Sequence, residues 1–156
     1  VIMLLTKRHD RLLSWQREHF PDGLPAWVWV GCTVEDQRRA DERVPVLLEV
    51  AARVRFLSVE PLLGAVDLAQ AGGIRWDSVG DSTPGTGESF ATSDIGWVIV
   101  GCESGPRRRE TSGEWVRAIR DDCVRAGVPF FLKQLYVGGK KTGLPELDGR
   151  TWAEVP

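Results

Sequence analysis

The sequence predicts an α/β fold in which parallel (βα) repeats form a partial TIM-type barrel of about five strands. Five short apolar runs recur along the 156 residues, and amphipathic helical patterns separate most of them. The runs are apolar throughout rather than alternating, which is typical of a parallel sheet covered on both faces. An open doubly wound sheet is the alternative. Because a complete barrel needs roughly 250 residues, we expect one domain over residues 1–156 that forms part of a barrel.

The strands are predicted from the apolar runs and from the turn residues that bound them. Glu60-Pro61 closes the third run, and Pro25 precedes the second. The five predicted strands cover residues 1–6, 27–34, 54–59, 97–101 and 128–132. The chain begins with Val1 rather than Met, inside the first of these strands. We therefore expect it to be the C-terminal part of a barrel whose N-terminal segment is missing.

The helices are predicted from apolar residues at helical spacing. They span residues 9–20, 36–50 and 113–126. Asp36 suits the N-cap of the second helix, and Pro45 inside that helix predicts a kink or two short helices. Thr111 and Glu114 have the spacing of a capping box before the third helix, and Gly127 suits its C-terminal end.

Two segments lack these patterns. Residues 69–95 are rich in glycine and other helix or strand breakers and poor in apolar residues, so we predict a flexible insertion loop there. In the C-terminal tail, residues 138–141 and 148–150 are predicted as turns.

Composition and charge narrow the function classes. A net charge of −2 and a pI near 5.7 do not indicate a positively charged surface that would bind nucleic acid or an anionic membrane. The run Arg107-Arg108-Arg109 is the one local exception, and a solvated loop is its simpler interpretation. No apolar stretch is long enough to span a bilayer. Three widely spaced cysteines indicate neither a disulfide scaffold nor a zinc site, so we expect a cytoplasmic protein without its own metal site.

Polar residues collect where the predicted strands end. Because ligands bind at the carboxyl ends of strands in parallel α/β folds, we expect a polar cup at one rim. The candidate catalytic residues are Glu35, Glu60 and Lys133. The candidate cofactor-binding residues are Thr6, Lys7, Arg8, Thr33, Ser58, Gly101, Glu103, Ser104 and Gln134. Strand ends that merely meet water, with glutamate–lysine ion pairs, are the structural alternative.

The residue types in this cup suit two binding chemistries. Its three glutamates can bind a cation, accept protons or hold ribose hydroxyls. Its two lysines and Arg8 can hold a carboxylate or a phosphate. Cys32 and Cys102 lie near strand ends, but two thiols without a third ligand do not make a metal site, and packing is the expected role. The chain has no phosphate-binding loop, dinucleotide fingerprint or nucleophile elbow.

Several stretches together resemble a known family. They are residues 5–8, 30–37, 40–43, 55–64, 98–105, 127–134 and 147–152, with Phe56-Leu57-Ser58-Val59-Glu60-Pro61-Leu62-Leu63-Gly64 the most specific. Their order and content are similar to the phage gp-thirty-seven/gp-sixty-eight family, a domain-of-unknown-function family also called three-Cys-motif proteins. This sequence departs from the family at Cys102, where glycine is usual, and at Leu135, where tryptophan is usual.

The resemblance implies a cofactor that the chain itself does not hold. Family members carry an N-terminal cysteine cluster similar to the iron–sulfur site of radical S-adenosylmethionine enzymes, and this sequence contains no such cluster. By that analogy, residues 96–103 form the strand whose backbone meets the adenine, and Glu35, Ser58 and Glu60 are candidates for the ribose and methionine ends.

Three functional hypotheses follow. The first is the cofactor and substrate half of a radical S-adenosylmethionine-like enzyme, whose partner is the missing N-terminal barrel segment with its iron–sulfur cluster. The second is a non-catalytic phage or mobile-element accessory protein that binds nucleic acid or a protein partner. The third is a truncated remnant that exposes apolar barrel edges.

Overall fold

A sheet of six strands organises the structure, a computed structural model that describes residues 1–74 and 94–156. Strands β1 to β5 are parallel, and β6 is antiparallel to β5. The strands of this sheet are β1 (Ile2–Thr6), β2 (Val28–Thr33), β3 (Arg55–Val59), β4 (Trp97–Gly101), β5 (Phe130–Val137) and β6 (Lys140–Gly143). A separate two-stranded sheet is formed by β7 (Glu146–Leu147) and β8 (Arg150–Thr151).

The strand order follows the chain order from β1 to β6 without reversal. A doubly wound sheet would reverse its order at a switch point, so that alternative is wrong. The sheet curls into a half-barrel, and the prediction of parallel (βα) repeats with five parallel strands is confirmed. The sixth strand and the small β7–β8 sheet were not predicted, although the turns at 138–139 and 148–149 do connect their strands.

In the part of the chain that the structure describes, three helices cover one face of the sheet. They are α1 (His9–His19), α2 (Gln37–Leu48) and α3 (Gly113–Ala126). Their buried side chains join Val28, Val30 and Cys32 of β2 and the equivalent residues of its neighbours in one hydrophobic core. The Asp36 side chain accepts a hydrogen bond from the Arg39 N–H and caps α2, as predicted.

The alternative of two short helices at Pro45 and the capping box predicted for α3 were wrong; a kink at Pro45 stays a prediction. Helix α2 continues through Pro45, so it is not divided into two short helices. Pro45 is exposed, and water can bond the backbone carbonyl that loses its helical partner there. The N-cap of α3 is Ser112, whose hydroxyl accepts from the Glu114 N–H. Thr111 is not the cap because its hydroxyl donates to the Leu62 carbonyl.

The opposite face of the sheet is called the inner face here and carries the alternate residues of each strand. Its lower part is aromatic: Trp97 lies 6.3 Å from Trp29, 6.2 Å from Phe56 and 5.9 Å from Phe131 between ring centroids. Gly31 makes room for this packing, since a Cβ there would lie 2.5 Å from the Phe56 ring. Polar residues follow on this face toward the carboxyl ends of the strands.

The two edges of the sheet differ. Beyond β5, the edge is covered by β6 and by the C-terminal tail, where the Leu132 N–H donates to the Trp152 carbonyl. At the other edge, β1 pairs with β2 on one side and leaves Ile2, Met3 and Leu5 exposed. Within the described ranges, no helix is long and apolar enough to cross a membrane. Most of the predicted insertion loop at 69–95 lies outside the described residues.

Candidate functional site

The predicted site residues lie at the carboxyl ends of the parallel strands, on the rim of the half-barrel. They do not form one cluster there. The three rim glutamates instead have different cationic partners: Glu35 has two, and Glu60 and Glu103 have one each. The rim of the described structure therefore carries three separate ion-paired carboxylates, each at the end of a different strand.

Glu35, just beyond β2, is the most deeply buried of the three glutamates, with 11% of its side chain exposed. Lys7, which follows β1, bonds one carboxylate oxygen. Arg43 on α2 donates to the other oxygen at 2.8 Å and to the Thr33 carbonyl at 2.6 Å. Because Arg43 is itself 9% exposed, this pair is sheltered from water and fixes the Glu35 carboxylate firmly.

Glu60, just beyond β3, is held by two consecutive residues of β5. Lys133 Nζ donates to one carboxylate oxygen at 2.9 Å, and Gln134 Nε2 donates to the other at 2.8 Å. Consecutive side chains in a regular strand point to opposite faces. Here the pairing of β4 with β5 slips by one residue, from Val100–Leu132 to Gly101–Gln134, and such a bulge lets both side chains reach one carboxylate.

Gly101 leaves the space that Glu60 occupies. A Cβ at Gly101 would lie 2.9 Å from the Glu60 carboxyl carbon, closer than real Cβ contacts. The absence of a side chain at this strand end is thus explained by the position of the carboxylate. The Gly101 carbonyl also accepts from the Leu62 N–H, which ties the segment after Glu60 to β4.

Glu103, beyond β4, forms a two-pronged ion pair with Arg109. The Arg109 guanidinium donates to both carboxylate oxygens at 2.7 and 2.9 Å, and its backbone N–H adds a third bond. These bonds from Arg109 lower the pKa of Glu103 to about 2. One arginine of the 107–109 run therefore folds back onto the rim of the sheet.

Ser104 joins this loop to the β5–β6 hairpin. Its hydroxyl accepts from Lys141 Nζ at 2.9 Å and from Gln134 Nε2 at 3.3 Å. Gln134 Nε2 also lies 3.2 Å from the Cys102 carbonyl oxygen. Gln134 is 9% exposed, so its amide links the Glu60 carboxylate to the loop after β4 inside the protein.

Thr33 and Ser58 lie side by side on the inner face, because β2 and β3 pair at these two residues. They are 5% and 6% exposed, and neither hydroxyl is hydrogen-bonded to any residue in the described part of the chain. Neither oxygen is among the fully buried unpartnered polar atoms of the described residues, so both hydroxyls reach solvent. This pair consequently offers unused hydrogen-bonding capacity beside the ion-paired carboxylates.

The remaining predicted residues lie at the β1 end of the rim. The Thr6 hydroxyl accepts from the Arg8 N–H at 2.9 Å, and Arg8 precedes the first residue of α1. Arg8 and Thr6 also line an open cavity of about 380 Å³ between β1 and α1, together with Leu4 and Trp15. They stand apart from the Glu60 end of the rim, so they belong to a different surface.

The three cysteines are free and buried. Burial raises the pKa of the Cys32 thiol to about 12, raises that of Cys102, and raises that of Cys123 further. Cys123 packs in the core, as predicted. Across residues 1–74 and 94–156, no three histidine, cysteine or acidic side chains are placed to hold a metal ion.

Sequence reasoning missed two residues that shape the site. Arg43 lies on a helix rather than at a strand end, and only its position seven residues after the N-cap Asp36 could have indicated that it returns to the rim. Lys141 was assigned to a turn, but it lies in β6 and contacts Ser104.

The fold and the rim together define a class: an α/β half-barrel with a polar site at the carboxyl ends of its parallel strands. A family model described as a protein of unknown function, DUF5131, matches residues 1–156, and the chain belongs to this family. Neither the curated proteins nor the solved structures gave a match to the chain.

Proposed function

We propose that the chain forms the cofactor- and substrate-binding half of a radical S-adenosylmethionine-type iron–sulfur enzyme. The observation that carries the proposal is the Thr33–Ser58 hydroxyl pair, which belongs to two largely buried residues, lacks a partner among the described residues and lies on the inner face below the rim. Ligand sites combine an apolar concave surface with a few fixed polar groups. The aromatic floor and the polar rim supply both.

The residues of this face fit the parts of S-adenosylmethionine. Glu60 and Glu35 are suited to the ammonium group or the ribose hydroxyls, and Lys133 is suited to the carboxylate. The hydroxyls of Thr33 and Ser58 can donate to or accept from the ribose. The resemblance of residues 96–103 to an adenine-contacting strand agrees with this assignment.

The iron–sulfur cluster does not fit the cysteines of this chain. All three are buried, and burial raises their thiol pKa values, whereas cluster ligands are thiolates. We place the cluster in a further segment, in line with the resemblance to three-Cys-motif proteins of the phage gp-thirty-seven/gp-sixty-eight family. In such enzymes the cluster supplies an electron and S-adenosylmethionine supplies the radical chemistry.

The residues of this chain would bind the cofactor and substrate and hold them in a fixed orientation. Lys133 and Gln134 hold the Glu60 carboxylate above Gly101, which fixes the position of an acceptor for a ligand N–H or O–H. Arg43 and Lys7 fix the Glu35 carboxylate in the same way. Prepared acceptors of this kind lose little entropy when a ligand binds, so they favour affinity and orientation.

Equilibrium dialysis of the purified chain against S-adenosylmethionine tests the proposal. Replacing Ser58 by Ala and Thr33 by Val should together weaken binding by about thirtyfold, because each lost hydrogen bond contributes about 1 kcal/mol. Ser14→Ala is the matched control, since this exposed hydroxyl on α1 donates to the Asp10 carbonyl. Absence of binding, or equal binding by the double variant, would contradict the proposal and favour an accessory role or a remnant.

A further inference from the structure

The loop after β4 lies over the β5–β6 hairpin and brings three donor groups to one surface. The Arg108 guanidinium lies over the Tyr136 ring, 3.7 Å from its centroid. Lys141 Nζ lies 2.9 Å from the Ser104 hydroxyl. Tyr136 and Lys141 are directly paired across the hairpin, so their side chains share one face. We propose that Ser104, Arg108 and Lys141 bind the phosphate group of a small-molecule ligand.

Each of these groups is held in place and still has donors to spare. The Arg108 guanidinium has five N–H donors, and stacking on Tyr136 leaves the donors in its plane available. Lys141 uses one of its three N–H donors on Ser104. The Ser104 hydroxyl accepts from Lys141 Nζ, and no described residue accepts its own proton, which can therefore donate to a ligand.

Two positive charges and a hydroxyl match a terminal phosphate, which carries close to two negative charges at neutral pH. The surroundings disfavour a long polyanion. Glu103 and the exposed Glu110 flank the arginine run, and the net charge of the chain is −2. A nucleic-acid backbone would have to pass these carboxylates, whereas a single phosphate would not.

The site adjoins the rim but does not depend on radical chemistry. Gln134 contacts both Ser104 and Glu60, so a ligand with its phosphate at Ser104 can extend toward Glu60. Phosphate binding can be measured without a cluster or S-adenosylmethionine, so its failure is separate from failure of the proposed enzyme function.

Titration of the ¹⁵N-labelled chain with inorganic phosphate, followed through its amide resonances, tests this site. Saturable shifts are expected at Ser104 and Lys141. Arg108→Gln and Lys141→Gln should each weaken binding by about tenfold, since each removes a charge-assisted hydrogen bond. Their matched controls, Arg107→Gln and Lys140→Gln, remove the same charge from the neighbouring residue and should change the affinity less than about twofold.

The variant Tyr136→Leu tests whether the position of the Arg108 guanidinium, and not only its charge, is needed for phosphate binding. It removes the surface on which Arg108 stacks but no formal charge, and it should weaken phosphate binding severalfold. Equal losses in the controls and the site variants would overturn the proposal, because binding would then follow net charge alone. Absence of saturable shifts would overturn it as well. So would a duplex oligonucleotide that binds through Arg108 and Lys141 when phosphate does not.

Discussion

The cationic partners of the rim glutamates differ in how much of their side chains is exposed to solvent. The Glu35–Arg43 pair is buried, whereas Arg109, the partner of Glu103, is 64% exposed. Exposed pairs contribute little to stability, but they still shift the pKa of the carboxylate. We therefore expect the Glu103–Arg109 pair to affect the pH dependence of the protein and the Glu35–Arg43 pair to affect its folding stability.

The Glu103–Arg109 pair predicts a specific response to acid. The pKa of Glu103 is about 2 in the folded protein, below its ordinary value of 4.5. Its contribution to stability is thus fully present above pH 4.5 and is lost as the pH falls toward 2. In Arg109→Gln, the pKa of Glu103 should return toward 4.5, as measured by a carboxyl-carbon titration.

The matched variant for this test is Arg107→Gln, which lies two residues away and has no bond to Glu103. It should leave the Glu103 titration unchanged. An unshifted Glu103 pKa in Arg109→Gln would show that the three bonds from Arg109 do not hold the carboxylate in solution.

At the scale of residues, the strand-end rule placed Glu35, Glu60, Glu103 and Lys133 at one rim from the sequence alone. It could not show which residues pair. The contact of both Lys133 and Gln134 with Glu60 depends on the bulge between β4 and β5. A one-residue slip in strand pairing is a tertiary feature and leaves no local pattern in either strand.

At the scale of elements, helix α2 connects the core to the site. Val44 and Leu47 bury one stripe of the helix, while Arg43 beside them returns to the end of β2. The position of the Glu35 carboxylate therefore depends on the packing of α2 against the sheet, because Arg43, which binds this carboxylate, lies on α2.

Removal of the Arg43 charge tests this coupling. Arg43→Met should lower the free energy of unfolding by about 3 kcal/mol, because it leaves Glu35 buried with Lys7 as its remaining partner. Urea unfolding measures the change. Arg39→Met, on the same helix, removes an exposed pair with Glu42 and should leave the stability close to that of the parent chain. Equal stability of both variants would contradict the structural role of Arg43.

Local sequence patterns correctly predicted the helices and strands whose side chains pack in the hydrophobic core. The three helices follow apolar spacing, and the parallel strands follow continuous apolar runs. Strand β6 was missed because Lys140-Lys141-Thr142-Gly143 has no apolar residue and forms only as the exposed partner of β5. The capping box failed for a similar reason: Thr111 bonds Leu62, 49 residues away in sequence.

At the scale of the whole molecule, the half-barrel presents two surfaces of different character. The β1 edge is apolar and exposed, with Ile2 and Leu5 each 51% accessible. The opposite edge is covered by β6 and the C-terminal tail. Between them, the inner face leads from an aromatic floor to the polar rim. This arrangement supports a ligand site at the carboxyl ends of the strands, as in parallel barrels.

We propose that this rim holds the cofactor and substrate of a radical S-adenosylmethionine-type enzyme. The most direct test is anaerobic reconstitution of the whole protein, expressed with any segment encoded in frame before Val1. Bound iron and sulfide are expected, together with 5′-deoxyadenosine when S-adenosylmethionine and a reductant are added. Absence of all three would contradict it.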